Sequence, residues 1–146
     1  MNCGFCKDKE NNENNKRIII ETKLSKVFPS NQPIVLGHTI IIPKRCVPNF
    51  EDLTINEKND IFELMTKIKL SLKNSFNCKG FNHAWNENII AGQTVPHFHL
   101  HIVPRKKGDD GIYEYEPRKF LYRPNSRENS PNQELIKIAQ IIKNNL

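Results

Sequence analysis

The chain has 146 residues, of which 37% are hydrophobic and 26% are charged, and its formal net charge is +6. This length and balance are typical of one soluble globular domain with a single core. The sequence contains no run of about 18 apolar residues, which excludes a transmembrane helix, and its first residues do not resemble a secretory signal, so we expect a cytosolic protein.

The positive charge suits anionic ligands such as phosphates or nucleic acid, although a simple excess of surface lysine explains the same value. The sequence has no basic patch with interleaved aromatic residues, so it does not favour a nucleic-acid binder. In a cytosolic protein, cysteines are expected to bind a metal or to stay as free thiols. The chain has four of them: Cys3, Cys6, Cys46 and Cys78.

Short runs of apolar and β-branched residues predict three strands in the first third of the chain. Pro43 ends the third of these strands because proline has no backbone N–H to donate. Between the second and third strands, the proline and glycine in residues 30–37 predict a loop. The predicted strands are Arg17–Thr22, Val27–Phe28 and His38–Ile42.

A long helix is predicted next. Thr54 is placed to be its N-cap, and Glu57 lies three residues later, which is the spacing of a capping box. Apolar residues then recur at helical spacing from Ile61 to Leu72. The pattern predicts a helix with one apolar face and with lysines on the other.

The second half of the chain predicts two more strands, residues 81–86 and 97–103, with a loop between them. Residues 105–129 show no periodicity and are predicted to be irregular. Residues 130–146 predict a C-terminal helix, with Ser130 as N-cap and Pro131 in the first turn. Short connections make the strands mostly antiparallel, so we expect one α+β domain over residues 1–146: an antiparallel sheet with a central helix and a C-terminal helix.

Three histidines alternate with apolar residues in the last predicted strand, at positions 97, 99 and 101. Because successive side chains of a strand point to opposite faces, the three imidazoles are expected to share one face. One interpretation is phosphoryl chemistry, in which the neutral middle imidazole attacks phosphorus and its neighbours stabilise the charge that develops.

Two other interpretations stay open. A metal ion would take two of the imidazoles and a ligand from elsewhere, because His97 and His101 lie roughly 13 Å apart at Cα in an extended strand. The histidines would otherwise be ordinary residues on an exposed strand face. Nearby hydrogen-bonding side chains favour phosphate: Asn86, Gln93 and Thr94.

The segment from His97 to Val103 resembles the signature of the histidine triad family, in which three histidines alternate with apolar residues. Residues 91–95, the Gly37-His38 pair and the segment Ile41–Lys44 also resemble family segments, in the same order. The resemblance implies the fold of that family. It also implies a homodimer that hydrolyses dinucleoside polyphosphates or nucleoside phosphoramidates through a nucleotidyl-histidine intermediate, with no metal in catalysis.

By that resemblance, His99 is the nucleophile, His101 contacts the phosphate and the leaving group, and His97 and His38 support the ring orientations. Asn86, Gln93 and Thr94 are expected to hold phosphate oxygens. The resemblance places the base against Phe5 and Phe28, although both are equally suited to the core. Where family members carry a ribose-binding acid or Asn, this chain has Ser30 followed by Asn31.

Cys3 and Cys6 form a Cys-x-x-Cys pair, which is a zinc signal that also fits a redox pair or chance. Bacterial-type family members with this pair place a third ligand where this chain has Cys46, and a fourth at the position of His97. The resemblance therefore implies a structural zinc held by Cys3, Cys6, Cys46 and His97. The alternative function is a zinc-bearing nucleotide-binding or regulatory protein with little catalysis.

Overall fold

The structure is a computed structural model that describes residues 3–7, 15–111 and 128–146. Five strands form one sheet in the order β1-β2-β3-β5-β4, and every neighbouring pair is antiparallel. The elements, in chain order, are α1 (Gly4–Lys7), β1 (Ile20–Glu21), β2 (Ser25–Pro29), β3 (Thr39–Pro43), α2 (Ile55–Phe76), β4 (Gly80–Ala84), a 3-10 turn (Ile89–Ala91), β5 (Leu100–Arg105) and α3 (Asn132–Lys143). The predicted α+β class, antiparallel sheet and two helices are confirmed.

One face of the sheet packs against α2 and α3. Val27, Ile41 and Leu100 are cross-strand neighbours on this face and join the core cluster with Leu64 and Ile142 of the helices. The opposite face carries His101, its partner Ile40 and, one strand further, Phe28. The sheet therefore separates the apolar core from the face that carries His101.

The long helix begins as predicted, with Thr54 as its N-cap and a complete capping box to Glu57. The C-terminal helix begins differently from the prediction. Pro131 occupies the N-cap position without a side-chain cap, and Ser130 donates its backbone N–H to the Asn31 carbonyl at 3.0 Å. Ser130 is thus used to attach the start of α3 to the loop after β2, and the prediction that it caps the helix is wrong.

Several predicted strand limits also differ. The strand predicted over residues 17–22 is paired only at Ile20–Glu21, and the one predicted over 81–86 runs from Gly80 to Ala84. Of the segment predicted to be irregular, residues 112–127 lie outside the described residues. That the chain forms a single domain stays a prediction. Within the described ranges, no helix is both long and apolar enough to cross a membrane.

The chain enters β3 through a turn at Gly37. Its φ is +88°, and a Cβ built there would lie 2.9 Å from the Phe76 ring. Only glycine combines this backbone conformation with this close approach. The turn places His38, which is 1% exposed, directly before the strand that lies next to β5.

Candidate active site and metal centre

The histidine segment enters the sheet later than predicted. Strand β5 begins at Leu100, so His97 and His99 precede it, and the prediction of a strand from His97 is wrong. In the register of β3 with β5, the next partner of Phe98 would be Pro43, which has no N–H to give to a ladder. Phe98 instead donates its N–H to the Val47 carbonyl at 2.6 Å. This turn separates His97 from the other two histidines.

His99 is buried, and its ring has one defined hydrogen bond. The Nδ1–H donates to the His97 backbone carbonyl at 2.8 Å. Because a carbonyl only accepts, the proton of the neutral ring lies on Nδ1, and Nε2 keeps an unshared electron pair. Burial lowers the pKa of the His99 imidazole below its usual range, so the neutral form is favoured near pH 7.

A chain of hydrogen bonds fixes the tautomers of His38 and His101. The Ile34 N–H donates to His38 Nδ1 at 3.0 Å, which places the proton of neutral His38 on Nε2. That Nε2–H in turn donates to His101 Nδ1 at 2.9 Å, which leaves the proton of neutral His101 on its own Nε2. The rings of His99 and His101 are 4.8 Å apart. We call His38, His99 and His101 the histidine group.

The three residues predicted to bind phosphate differ in their exposure and in their hydrogen bonds. Position 86 follows β4 and lies opposite His99 if the β4–β5 register is continued. Thr94 is exposed. The Gln93 amide bonds within the protein: it donates to the Pro48 carbonyl at 2.6 Å and accepts from the Asn88 N–H at 2.9 Å. Its role at a phosphate stays a prediction, and the second N–H of the amide is the donor available for that role.

The predicted ribose-binding positions lie at the end of β2. Ser30 is 7% exposed, and its N–H donates to the His38 carbonyl at 2.8 Å. Asn31 accepts a hydrogen bond from the Arg17 guanidinium at 2.7 Å through its side-chain oxygen, which leaves the amide NH₂ as a donor. Arg17 also donates to Asn132, so one cation joins this loop to the start of α3.

The two phenylalanines predicted to pack the base are half-buried neighbours. Phe5 lies on α1 and Phe28 on β2, and their ring centroids are 5.8 Å apart in an edge-to-face arrangement. The Phe5 ring is 5.4 Å from the His99 ring. The structure therefore brings Phe5 to the nucleophile candidate, with Phe28 beside Phe5, on the face of the sheet away from the main core.

The four predicted metal ligands also come together. One ligand atom from each of Cys3, Cys6, Cys46 and His97 lies within 4.8 Å of the other three. The His97 Nε2–H donates to the Pro43 carbonyl at 2.8 Å, so Nδ1 presents its electron pair to the thiols of Cys3 and Cys6 at 3.4 and 3.7 Å. We call these four residues the thiol cluster.

The chemistry and spacing of this donor set fit zinc. A tetrahedral zinc ion with sulfur and imidazole ligands places the ligand atoms roughly 3.5–3.8 Å apart, close to the two distances from His97 Nδ1. A backbone carbonyl on the other imidazole nitrogen is also the usual outer partner of a metal-bound histidine. Cys46 is exposed as a residue, but partial desolvation of its sulfur and the neighbouring thiols of Cys6 and Cys3 raise its pKa to about 12, so a metal would displace protons on binding.

An ion pair that sequence reasoning missed anchors the loop with Cys46. The Arg45 guanidinium donates to both carboxylate oxygens of Glu57, at 3.0 and 2.7 Å. Arg45, helped by the backbone and hydroxyl of Thr54 and opposed by burial, lowers the pKa of the Glu57 carboxyl to about 2. The capping box was a visible signal for Glu57, but nothing in the sequence indicates that Arg45 is its partner.

Residues 11–108 match the family model of the HIT domain. The asymmetrical bis(5'-nucleosyl)-tetraphosphatase of Schizosaccharomyces pombe is 41% identical over 93 residues, which cover 64% of this chain and 51% of that protein. The bis(5'-adenosyl)-triphosphatase of Dictyostelium discoideum is 38% identical over 112 residues, covering 70% of this chain and 75% of that protein. The chain thus spans about half the length of the first relative and three quarters of the second.

Among solved structures, a zinc-bound histidine triad family protein from Mycobacterium smegmatis superposes with a TM-score of 0.72. The superposition covers 99% of this chain and 94% of that protein at 23% sequence identity. At this identity the likeness shows that the two chains share a fold.

Proposed function

We propose that this chain, which belongs to the HIT domain family, hydrolyses dinucleoside polyphosphates or nucleoside phosphoramidates through a nucleotidyl group carried on His99. The observation that carries the proposal is the hydrogen bond from His99 Nδ1 to the His97 carbonyl, because it leaves Nε2 as a free nucleophile. The names of the two relatives, a bis-nucleosyl tetraphosphatase and a bis-adenosyl triphosphatase, support the first substrate class.

In the first step, His99 Nε2 attacks the phosphorus and a P–N bond forms. The bond from phosphorus to the leaving oxygen or amine breaks, and the leaving group takes the proton of His101 Nε2. The hydrogen bond from His38 keeps that proton on the correct nitrogen of His101. In the second step, water attacks the same phosphorus and returns a proton to His101. The P–N bond then breaks, and the nucleoside monophosphate leaves.

The side chains around these groups support a nucleotide ligand. The half-buried rings of Phe5 and Phe28 offer apolar surface to a base. We assign phosphate contacts to Asn86, Gln93 and Thr94. We assign ribose contacts to Ser30 and Asn31, whose neutral groups can hydrogen-bond the ribose hydroxyls.

We further propose a structural zinc in the thiol cluster, as in the zinc-containing branch of the family. Two observations support this assignment: the histidine triad family protein from Mycobacterium smegmatis binds zinc, and the His97 tautomer directs an electron pair at the thiols. Four protein ligands leave no open position for water, so the metal would stabilise the fold locally and take no part in the reaction. Three thiols need a reducing compartment, which favours the cytosol.

A homodimer is the third part of the proposal. Strand β4 lies at the edge of the sheet, where it presents backbone groups for pairing. Phe62 and Trp85, which both contact the Phe50 ring beside this edge, are 43% and 40% exposed. A second copy that pairs along β4 would extend the sheet and cover these aromatic side chains.

Single-turnover assays with diadenosine tetraphosphate and adenosine phosphoramidate test the function. His99→Ala is expected to lower turnover about a thousandfold or more, while nucleotide binding is retained, because the variant lacks the nucleophile. His83→Ala is the matched control: His83 stacks on Phe81, and its partner in β5 is Ile102 of the core face.

Turnover by His99→Ala close to that of the unmutated protein would contradict the mechanism. If the unmutated protein binds nucleotides but turns over neither substrate, the result favours a zinc-bearing nucleotide-binding or regulatory protein instead. The ratio of the two rates identifies the preferred substrate class.

A further inference from the structure

One aromatic residue connects the thiol cluster with the proposed nucleotide pocket. Phe5 lies between the two paired cysteines, in the short N-terminal knuckle formed by residues 3–7. The N–H groups of Cys6 and Lys7 both donate to the Cys3 carbonyl at 3.1 Å, which closes the knuckle into one helical turn. The direction of the Phe5 side chain therefore depends on where Cys3 and Cys6 are held.

The Phe5 ring contacts three other rings. Its centroid is 5.6 Å from His97, 5.4 Å from His99 and 5.8 Å from Phe28, each time in an edge-to-face arrangement. One of these rings belongs to the thiol cluster, one is the proposed nucleophile and one is the adjacent aromatic wall of the base pocket. A movement of the knuckle would therefore change the pocket wall.

The knuckle and the histidine group depend on the thiol cluster to different degrees. Hydrogen bonds from the thiols of Cys3 and Cys6 to His97 Nδ1 connect the knuckle with the rest of the protein. Thiols are weak donors, and a metal ion would replace these bonds with direct bonds to sulfur and nitrogen. The orientation of His99 depends instead on the His97 carbonyl, and the bond from His97 to Pro43 does not involve the thiols.

We propose that metal occupancy of the thiol cluster sets the affinity of the protein for nucleotides, because the bound metal holds Phe5 as a wall of the base pocket. The proposal rests on the proposed function for the identity of the ligand. The metal acts on binding of the nucleoside and leaves the chemical step at His99 nearly unchanged. By thermodynamic reciprocity, a bound nucleotide must strengthen metal binding by the same factor.

The first experiment measures the affinity for AMP, which binds without turnover, by calorimetry under reducing conditions. Zinc-loaded protein and protein stripped with a chelator are compared. We expect AMP affinity to fall about tenfold on stripping, within the range for loss of one base–aromatic contact; tenfold corresponds to about 1.4 kcal/mol. In steady-state assays, KM is expected to rise by a similar factor while kcat changes less than about threefold.

The second experiment measures zinc affinity by competition with a chromogenic chelator, with and without saturating AMP. Zinc affinity is expected to rise about tenfold with AMP, as reciprocity requires. This readout does not depend on catalysis. Cys78→Ser is the control for zinc bound outside the thiol cluster: Cys78 is buried and is not one of the four ligands, so both affinities are expected to stay unchanged.

Phe5 variants separate the proposal from a general structural effect of the metal. Phe5→Ala keeps all four metal ligands, so it should bind zinc, bind AMP more weakly and show no effect of zinc on AMP affinity. Phe5→Tyr should restore the effect. Equal AMP affinity with and without zinc, or an unchanged effect in Phe5→Ala, overturns this proposal alone. Failure of AMP to bind either form overturns it together with the proposed nucleotide pocket.

Discussion

The histidine group and the thiol cluster lie side by side, but the protein holds them in different ways. The rings of His99 and His38 are oriented by backbone groups, the His97 carbonyl and the Ile34 N–H. The thiol cluster is assembled from side chains of three separate segments, around residues 3–6, 46 and 97. The proton positions that the proposed reaction needs are therefore set by backbone groups of the sheet and its loops, whereas the thiol cluster depends on contacts between side chains.

After the replacement of His99 itself, the largest expected effect comes from a change in the histidine group. His38→Asn removes the donor to His101 Nδ1, so the His101 proton is no longer confined to Nε2. We expect kcat to fall about a hundredfold, as is typical when a general acid is misplaced, and the pH profile of kcat to change. Zinc content should stay the same.

His38→Gln is the matched variant, because its longer side chain can place an amide donor near His101. It should recover part of the lost rate. If His38→Asn keeps the rate and pH profile of the unmutated protein, the hydrogen bond from His38 does not set the His101 tautomer.

The second prediction concerns the ion pair next to the thiol cluster. Glu57→Ala removes the capping box of α2 and the partner of Arg45, which directly precedes Cys46. We expect the free energy of unfolding to fall by about 2 kcal/mol, measured by denaturant titration, because a cap and a charged hydrogen bond are lost together. Zinc affinity should weaken while kcat is preserved.

Glu63→Ala is the control on the same helix, since Glu63 is exposed, and should change stability by less than about 0.5 kcal/mol. A loss in Glu57→Ala no larger than this control would show that the ion pair and cap contribute little.

The smallest expected effect is a loss of stability at acid pH. The pKa of Glu57 is lowered to about 2 in the folded protein, against about 4.3 for an unperturbed glutamate. The stability that this carboxylate contributes is therefore present above about pH 4.3 and is lost as the pH falls toward 2. The difference in unfolding free energy between the unmutated protein and Glu57→Ala should shrink over this interval. A difference that stays constant with pH would contradict the assignment.

Patterns that depend on neighbouring residues predicted the structure well. The capping box of Thr54 and Glu57 lies within four residues, and the structure shows it as predicted. The juxtaposition of the predicted metal ligands was anticipated only from the resemblance to a family, since no spacing rule connects residues 3, 46 and 97.

The differences arise where a distant backbone group decides the outcome. The strand predicted from His97 begins at Leu100 because the partner position across the sheet is Pro43. Ser130 gives its N–H to the carbonyl of Asn31, almost a hundred positions away in the chain, so its local capping pattern does not apply. Backbone carbonyls and N–H groups carry no residue identity, and a sequence therefore does not show which of them are near each other.

The hydrogen bonds of the Gln93 amide limit where a residue can be inserted into or deleted from this chain. Its two hydrogen bonds go to the backbone at Asn88 and at Pro48, so one side chain closes the six-residue turn from Asn88 to Gln93 and attaches it to the segment at Pro48. An inserted or deleted residue between positions 88 and 93 would break this closure and shift the approach to the histidines. Loop grafting or library design should therefore keep the length of this turn and vary only the side chains at its outward tip, such as Ile90, which is 90% exposed.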